Sequence, residues 1–173
     1  RELRLGGAAN VALNIQELGA EPILCSVIGD DENGKNFINL LHKHNISSHG
    51  VIKSENRQTN VKHRDFAGTR QMLRFDMESV EPLSKIETNA FVGQILSLIE
   101  GVDVIIFEDY KKGTLNGDVV HKVIKVANTH NIPTIVDDKN PNDFIENTQK
   151  KAKNSSNTIA PALIWGSMHY GKK

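Results

Sequence analysis

Gly6-Gly7-Ala8-Ala9-Asn10-Val11-Ala12 is the stretch on which the reading of this chain turns. Two adjacent glycines permit positive φ and let a ligand approach the backbone closely. Behind them an amphipathic period begins: Val11, Ala12, Ile15 and Leu18 fall on one helical face, and Gly19 is placed as a C-cap. A helix starting directly after a glycine turn presents unpaired N–H groups and the positive end of its dipole. Asn10 adds a side chain that both donates and accepts, which suits sugar hydroxyls. Taken alone, a glycine turn before a helix is only a turn. The stretch lacks the Gly-Lys-Ser/Thr end of a Walker A loop and the third glycine of a dinucleotide fingerprint.

Outward from this motif, strands and helices alternate. Ile23 to Ile28 reads as a short buried strand ending at Gly29. Asp30-Asp31-Glu32-Asn33-Gly34 is a loop whose acids suit the start of a helix from Lys35 to His44, with Phe37, Leu40 and Leu41 on one face. Gly50 to Ser54, Thr59 to Ala67 and Gln71 to Met77 are short strands with no helix between them, and Ala67-Gly68-Thr69-Arg70 is a hairpin-like turn. They predict a small antiparallel sheet beside the main one. Ile86 to Ile99 then reads as a helix, Val102 to Phe107 as a strand, Asp118 to Thr129 as a helix with Val119, Val120, Val123, Ile124 and Ala127 inward, and Ile132 to Val136 as a strand. The strands end in the polar clusters Gly29-Asp30-Asp31, Glu108-Asp109-Tyr110 and Asp137-Asp138-Lys139. In open parallel sheets the ligand crevice lies at the carboxyl ends of the strands, so these clusters mark where a site is expected. From about Glu146 the pattern fails, and residues 146–173 are expected to be a poorly ordered tail beyond a domain spanning 1–145.

Composition narrows the function classes. The 173 residues carry 21 basic and 21 acidic side chains and no formal net charge, so no basic excess exists to condense on nucleic acid or an anionic membrane. There is no apolar run of about 18 residues to span a membrane. Arg1-Glu2-Leu3-Arg4 is not a signal peptide, and the absence of an initiator Met hints at a cut N-terminus. The one cysteine, Cys25, lies in an apolar run and reads as a reduced core residue. Together these features predict a soluble, cytoplasmic protein. The seven histidines show no metal-ligand spacing; His42 and His44, two apart on a helix, diverge.

The longer pattern is more specific. Gly6-Gly7-Ala8-Ala9-Asn10-Val11-Ala12, followed by Gly19 and by Gly29-Asp30-Asp31-Glu32-Asn33-Gly34, resembles the first signature of the PfkB (ribokinase-like) carbohydrate kinases. Within that family the chain is most similar to the D-glycero-β-D-manno-heptose 7-phosphate kinases. The stretches that carry this are Arg57 to Arg64, Gln71 to Asp76, Glu108 to Gly113 and Val136 to Lys139, and the resemblance covers residues 3 to 145. It implies an α/β fold: a partial ribokinase-like sandwich with a mostly parallel sheet and a small antiparallel β lid over residues 50–77. It also implies an ATP- and Mg²⁺-dependent transfer of a phosphoryl group to the anomeric hydroxyl of the sugar phosphate, in the synthesis of ADP-heptose for the lipopolysaccharide core. Gly6, Gly7 and Asn10 match the motif that holds sugar hydroxyls, and Asp109 matches a position pointed at the sugar or else serves as a loop cap. A heptose 7-phosphate is a dianion and needs fixed cations, ideally forked guanidinium groups. Lys62 and Arg64 on one strand, Arg74 on its partner and Lys139 either form that pocket or are solvated charges paired with Asp65 or Asp76. The resemblance also allows a homodimer through the lid.

Three departures from the family qualify this. The Gly-Ala-Gly-Asp motif that carries the base and anion hole is absent; Gly117-Asp118 is the nearest dipeptide, and Asn116 or Asp118 reads there as a helix start. The Asn-x-x-Glu motif that orders Mg²⁺ and phosphates, expected after the Asp137 strand, is absent there, as is the family's first strand, expected before Arg1. The chain therefore looks like the first half of such a kinase, expected to bind neither ATP nor Mg²⁺ well and to be inactive alone. The other readings are a non-catalytic sugar-phosphate-binding or dimerisation module, and a kinase of the same family acting on another sugar.

Overall fold

The glycine motif is a strand running into a helix. A computed structural model describes residues 2–138 and 166–171, which fall into two units, Arg1–Ser79 with Trp165–Lys173, and Val80–Ile164. In the first unit, β1 (Glu2–Gly7) ends where α1 (Ala8–Glu17) begins. Gly7 caps the helix with φ 54° and ψ −138°, a conformation that a side chain would strain and glycine adopts freely. Ala8, Ala9 and Ala12 form the buried face of α1. The expected face is therefore rotated: Leu18 is 87% exposed, because the helix has already ended at Glu17 and the chain turns through Gly19 at φ 90°.

β2 (Ser26–Gly29), α2 (Glu32–Lys43) and β3 (Val51–Ser54) form a βαβ unit, with β2 and β3 parallel. Phe37, Leu40 and Leu41 bury the inner face of α2 as the periodicity predicted. Residues 51–54, expected in the lid, belong instead to this parallel pair. Their apolar run says nothing about a partner, and the α2 crossover sets it. Cys25 is buried and free, and burial pushes its thiol up to about 12, leaving it unreactive.

β4 (Val61–Ala67) and β5 (Arg70–Met77) are the hairpin, joined at Gly68 and bulged between Asp65 and Phe66. They lie in a four-stranded sheet of order β1-β8-β4-β5, where β8 is Gly166–Gly171. β8 runs antiparallel to β1 and parallel to β4. The small sheet is thus mixed rather than purely antiparallel, and six residues of the expected tail lie inside it. The rest of 146–173 falls outside the described residues.

The second unit is another βαβ arrangement with a helix before it: α3 (Lys85–Ser97), β6 (Ile105–Asp109), α4 (Gly117–Thr129) and β7 (Thr134–Asp138), with β6 and β7 parallel. Ser84 and Glu87 form a capping box on α3. Asn116 caps α4 by accepting from the N–H groups of Asp118 and Val119, which settles the Gly117-Asp118 dipeptide as a helix start. The five predicted inward residues of α4 are its buried residues. The α/β class holds, with β2–β3 and β6–β7 as parallel pairs.

Candidate functional site

In the first unit, the end of β2 is locked by one carboxylate. Asp31 accepts from the Gly34 N–H at 2.7 Å, the Thr59 N–H at 2.8 Å and the Thr59 hydroxyl at 2.7 Å. The Gly29 N–H donates back to Thr59 Oγ1 at 3.0 Å. Desolvation pushes the Asp31 carboxyl up, but these hydrogen bonds and one from Asn33 outweigh it and hold the group below the ordinary carboxylate range. The acid-rich loop is therefore an anchor for the chain entering the hairpin. Ser79 closes the hairpin's exit. Its N–H donates to Asn60 Oδ1 at 2.7 Å, and its hydroxyl accepts from the Gln58 N–H at 3.0 Å.

The anchored hairpin carries the cations. Lys62 pairs with Asp76 and Arg64 with Arg74 across the strands. Directly opposed residues, and residues two apart, share a face, so Lys62, Arg64, Arg74 and Asp76 stand together. Arg74 forks onto Asp76 at 2.8 and 3.2 Å, and Lys62 Nζ lies 3.6 Å from Glu78. Arg64 differs from both: its Nε is buried and has no hydrogen-bond partner among the described residues. On the other face His63 stacks on Phe75 at a centroid distance of 4.2 Å. Leu73, Phe75 and Met77 line that face, and Leu73 and Phe75 are 52% and 45% exposed.

Gly6 and Gly7 lie at the end of β1, in the same sheet as the cation row, and the exposed Asn10 lies in the first turn of α1. Asp109 lies in the second unit, at the end of β6. Its Oδ1 accepts from the Lys111 N–H at 2.7 Å and its Oδ2 lies 3.6 Å from Lys111 Nζ, the geometry of a loop cap. Lys139 lies outside the described residues.

Beside Asp109 stands Glu108, which the sequence marked only as part of the Glu108-Asp109-Tyr110 cluster and gave no role. Glu108 is 4% exposed and sits opposite Asp137 in the β6–β7 register. Burial first, and the Asp137 charge second, push its carboxyl up to about 7 against a hydrogen bond from Tyr110. A carboxyl that holds its proton more tightly when folded stabilises the fold below its unfolded value, and that contribution is lost as pH rises through 7. Glu108→Gln should therefore match the wild type in melting near pH 5 and exceed it near pH 8 by about 2 kcal/mol. A gap that does not change with pH would refute this.

Among the described residues no group of three or more His, Cys, Asp or Glu side chains is placed to hold a metal ion.

Residues 1–160 match the pfkB family of carbohydrate kinases. The chain is 38% identical over 138 residues to the bifunctional protein HldE of Pelobacter propionicus, covering 80% of this chain and 28% of that protein. It is 40% identical over 136 residues to the HldE of Rhodospirillum rubrum, covering 78% and 27%, and 37% identical over 135 residues to that of Helicobacter pylori, covering 78% and 29%. The chain thus spans under a third of the length of these curated relatives. In fold it is similar to a sugar kinase of Pyrococcus horikoshii solved in complex with ATP, with a TM-score of 0.54 and 21% identity over 84% of this chain and 47% of that one.

Proposed function

The chain belongs to the pfkB carbohydrate kinase family, and from that premise we propose that it forms the sugar-binding part of an ATP-dependent kinase acting on a heptose 7-phosphate. The observation that carries this reading is the cation row, with three cations on one face of an anchored hairpin and a buried Arg64 Nε lacking a partner among the described residues. A phosphate monoester supplies what that face lacks, a dianion with oxygens to meet forked donors. Gly6 and Gly7, at the end of a strand in the same sheet, and Asn10, in the first turn of α1, take the sugar hydroxyls. The similarity to HldE favours a heptose over other sugars. In the whole kinase the anomeric oxygen attacks the γ-phosphorus of ATP, the bond to ADP breaks, and the hydroxyl proton passes to the aspartate of the family's Gly-Ala-Gly-Asp motif, giving a 1,7-bisphosphate.

The 173 residues contain no Gly-Ala-Gly-Asp motif, so they are expected to bind the sugar phosphate without turning over ATP. Calorimetry with heptose 7-phosphate, ribose and fructose 6-phosphate, alongside an ATP-consumption assay, tests both parts. The heptose phosphate is expected to bind tightest, with no ATP consumed. Tighter binding of either other sugar would overturn the substrate, and heptose-dependent ATP consumption would overturn the expected inactivity.

A further inference from the structure

We propose that Asp76 is the resident counter-ion of the cation row, holding the place a ligand phosphate takes and so setting the charge a ligand must carry. The inference rests on the reading of Lys62, Arg64 and Arg74 as a phosphate site. Asp76 sits directly opposite Lys62, two residues from Arg74 on its own strand and diagonal to Arg64. It occupies the Arg74 fork with both oxygens. Arg64 and Arg74 oppose each other in register, an unfavourable like-charge pair that Asp76 offsets. The hydrogen bond from Arg74 is the main cause holding the Asp76 carboxyl below its ordinary range; desolvation opposes it, and the charges of Arg74, Lys62 and Arg64 add to it. Asp76 therefore stays ionised and engaged with the row.

A ligand entering this face must displace a carboxylate from a guanidinium fork. A neutral sugar tip offers nothing to replace it, and a monoanion only exchanges like for like. A phosphate monoester carries about −1.5 to −2 at neutral pH and three strong acceptor oxygens, so it engages Arg64 and Arg74 together. Asp76 thus excludes unphosphorylated ligands and weakens the binding of phosphorylated ones.

Titration of the chain with methyl phosphate and with acetate tests this, comparing wild type, Asp76→Asn, Arg64→Ala and Asp65→Asn. Asp65 undergoes the same charge change on the opposite face of β4 and is the control. Wild type should bind methyl phosphate and not acetate. Asp76→Asn should bind methyl phosphate about tenfold more tightly and acquire affinity for acetate, while Asp65→Asn stays at the wild-type value. Unchanged or weaker methyl phosphate binding in Asp76→Asn overturns the inference, as does an equal gain in Asp65→Asn. If Arg64→Ala binds methyl phosphate as well as wild type, the cation row is not the site, and the underlying reading fails with the inference.

Discussion

Gly34→Ala is expected to destabilise the first unit by about 3 kcal/mol or more. Gly34 lies in the first turn of α2, where its N–H donates to Asp31. A Cβ added there falls onto the Gly29 carbonyl oxygen, lies 3.1 Å from Thr59 Oγ1 and 3.3 Å from Ile28 Cδ1. The first of these is backbone in β2, and the second is held by Asp31 and by the Gly29 N–H. Neither yields cheaply, so α2 must move away from the strand, and the Asp31 hydrogen bonds stretch with it. A thermal melt should drop by roughly 10 °C or more. A melt within about 2 °C of wild type would mean that the β2–α2 junction is looser than these distances require.

Arg64→Ala is expected to weaken heptose 7-phosphate binding by about a hundredfold, equivalent to nearly 3 kcal/mol. Arg74 and Lys62 each have an anionic neighbour, Asp76 and Glu78, whereas the Arg64 Nε has no hydrogen-bond partner among the described residues and is already buried. A donor desolvated before the ligand arrives loses little when the ligand engages it. Arg64→Lys keeps the charge but not the fork and should recover only part of the loss. Titration by calorimetry checks both, and an Arg64→Ala affinity within threefold of wild type, by the same estimate of roughly 1 kcal/mol or less, would remove Arg64 from the site.

The sequence carried the helices better than the strands, for a physical reason. The 3.6-residue period of α4 places five apolar side chains on one face, and burial follows from that period alone. Strand limits depend on backbone pairing, which apolar character does not mark. The run from Ile23 meets Ser47 only through an isolated bridge, and β2 proper begins at Ser26. β6 and β7 likewise continue into their acidic clusters, pairing Glu108 with Asp137 and Asp109 with Asp138. β1 left a signal in the alternation of Leu3 and Leu5 with Glu2 and Arg4, which the glycine motif overshadowed. β8, Gly-Ser-Met-His-Tyr-Gly, carries no comparable signal.

For the candidate site, the glycine motif and the family resemblance marked Gly6, Gly7 and Asn10, and a dianion's need for fixed cations marked Lys62, Arg64, Arg74 and Lys139. Their organisation was less accessible. A regular hairpin closed by Ala67 and Arg70 would set Lys62 opposite Phe75; the bulge between Asp65 and Phe66 shifts the register by one residue and brings Asp76 there, and nothing in the sequence marks it. The Asp31–Thr59 anchor joins residues 28 apart, and Glu108 meets Asp137 only through a register fixed by the fold.

On the reading proposed above, this hairpin face recognises the phosphate of a sugar phosphate. The most direct measurement is calorimetric titration of the chain with heptose 7-phosphate and with the same heptose lacking its phosphate. The phosphorylated sugar is expected to bind at least about a hundredfold tighter than the free sugar. Equal affinity for the two, or no binding heat with heptose 7-phosphate, would contradict it.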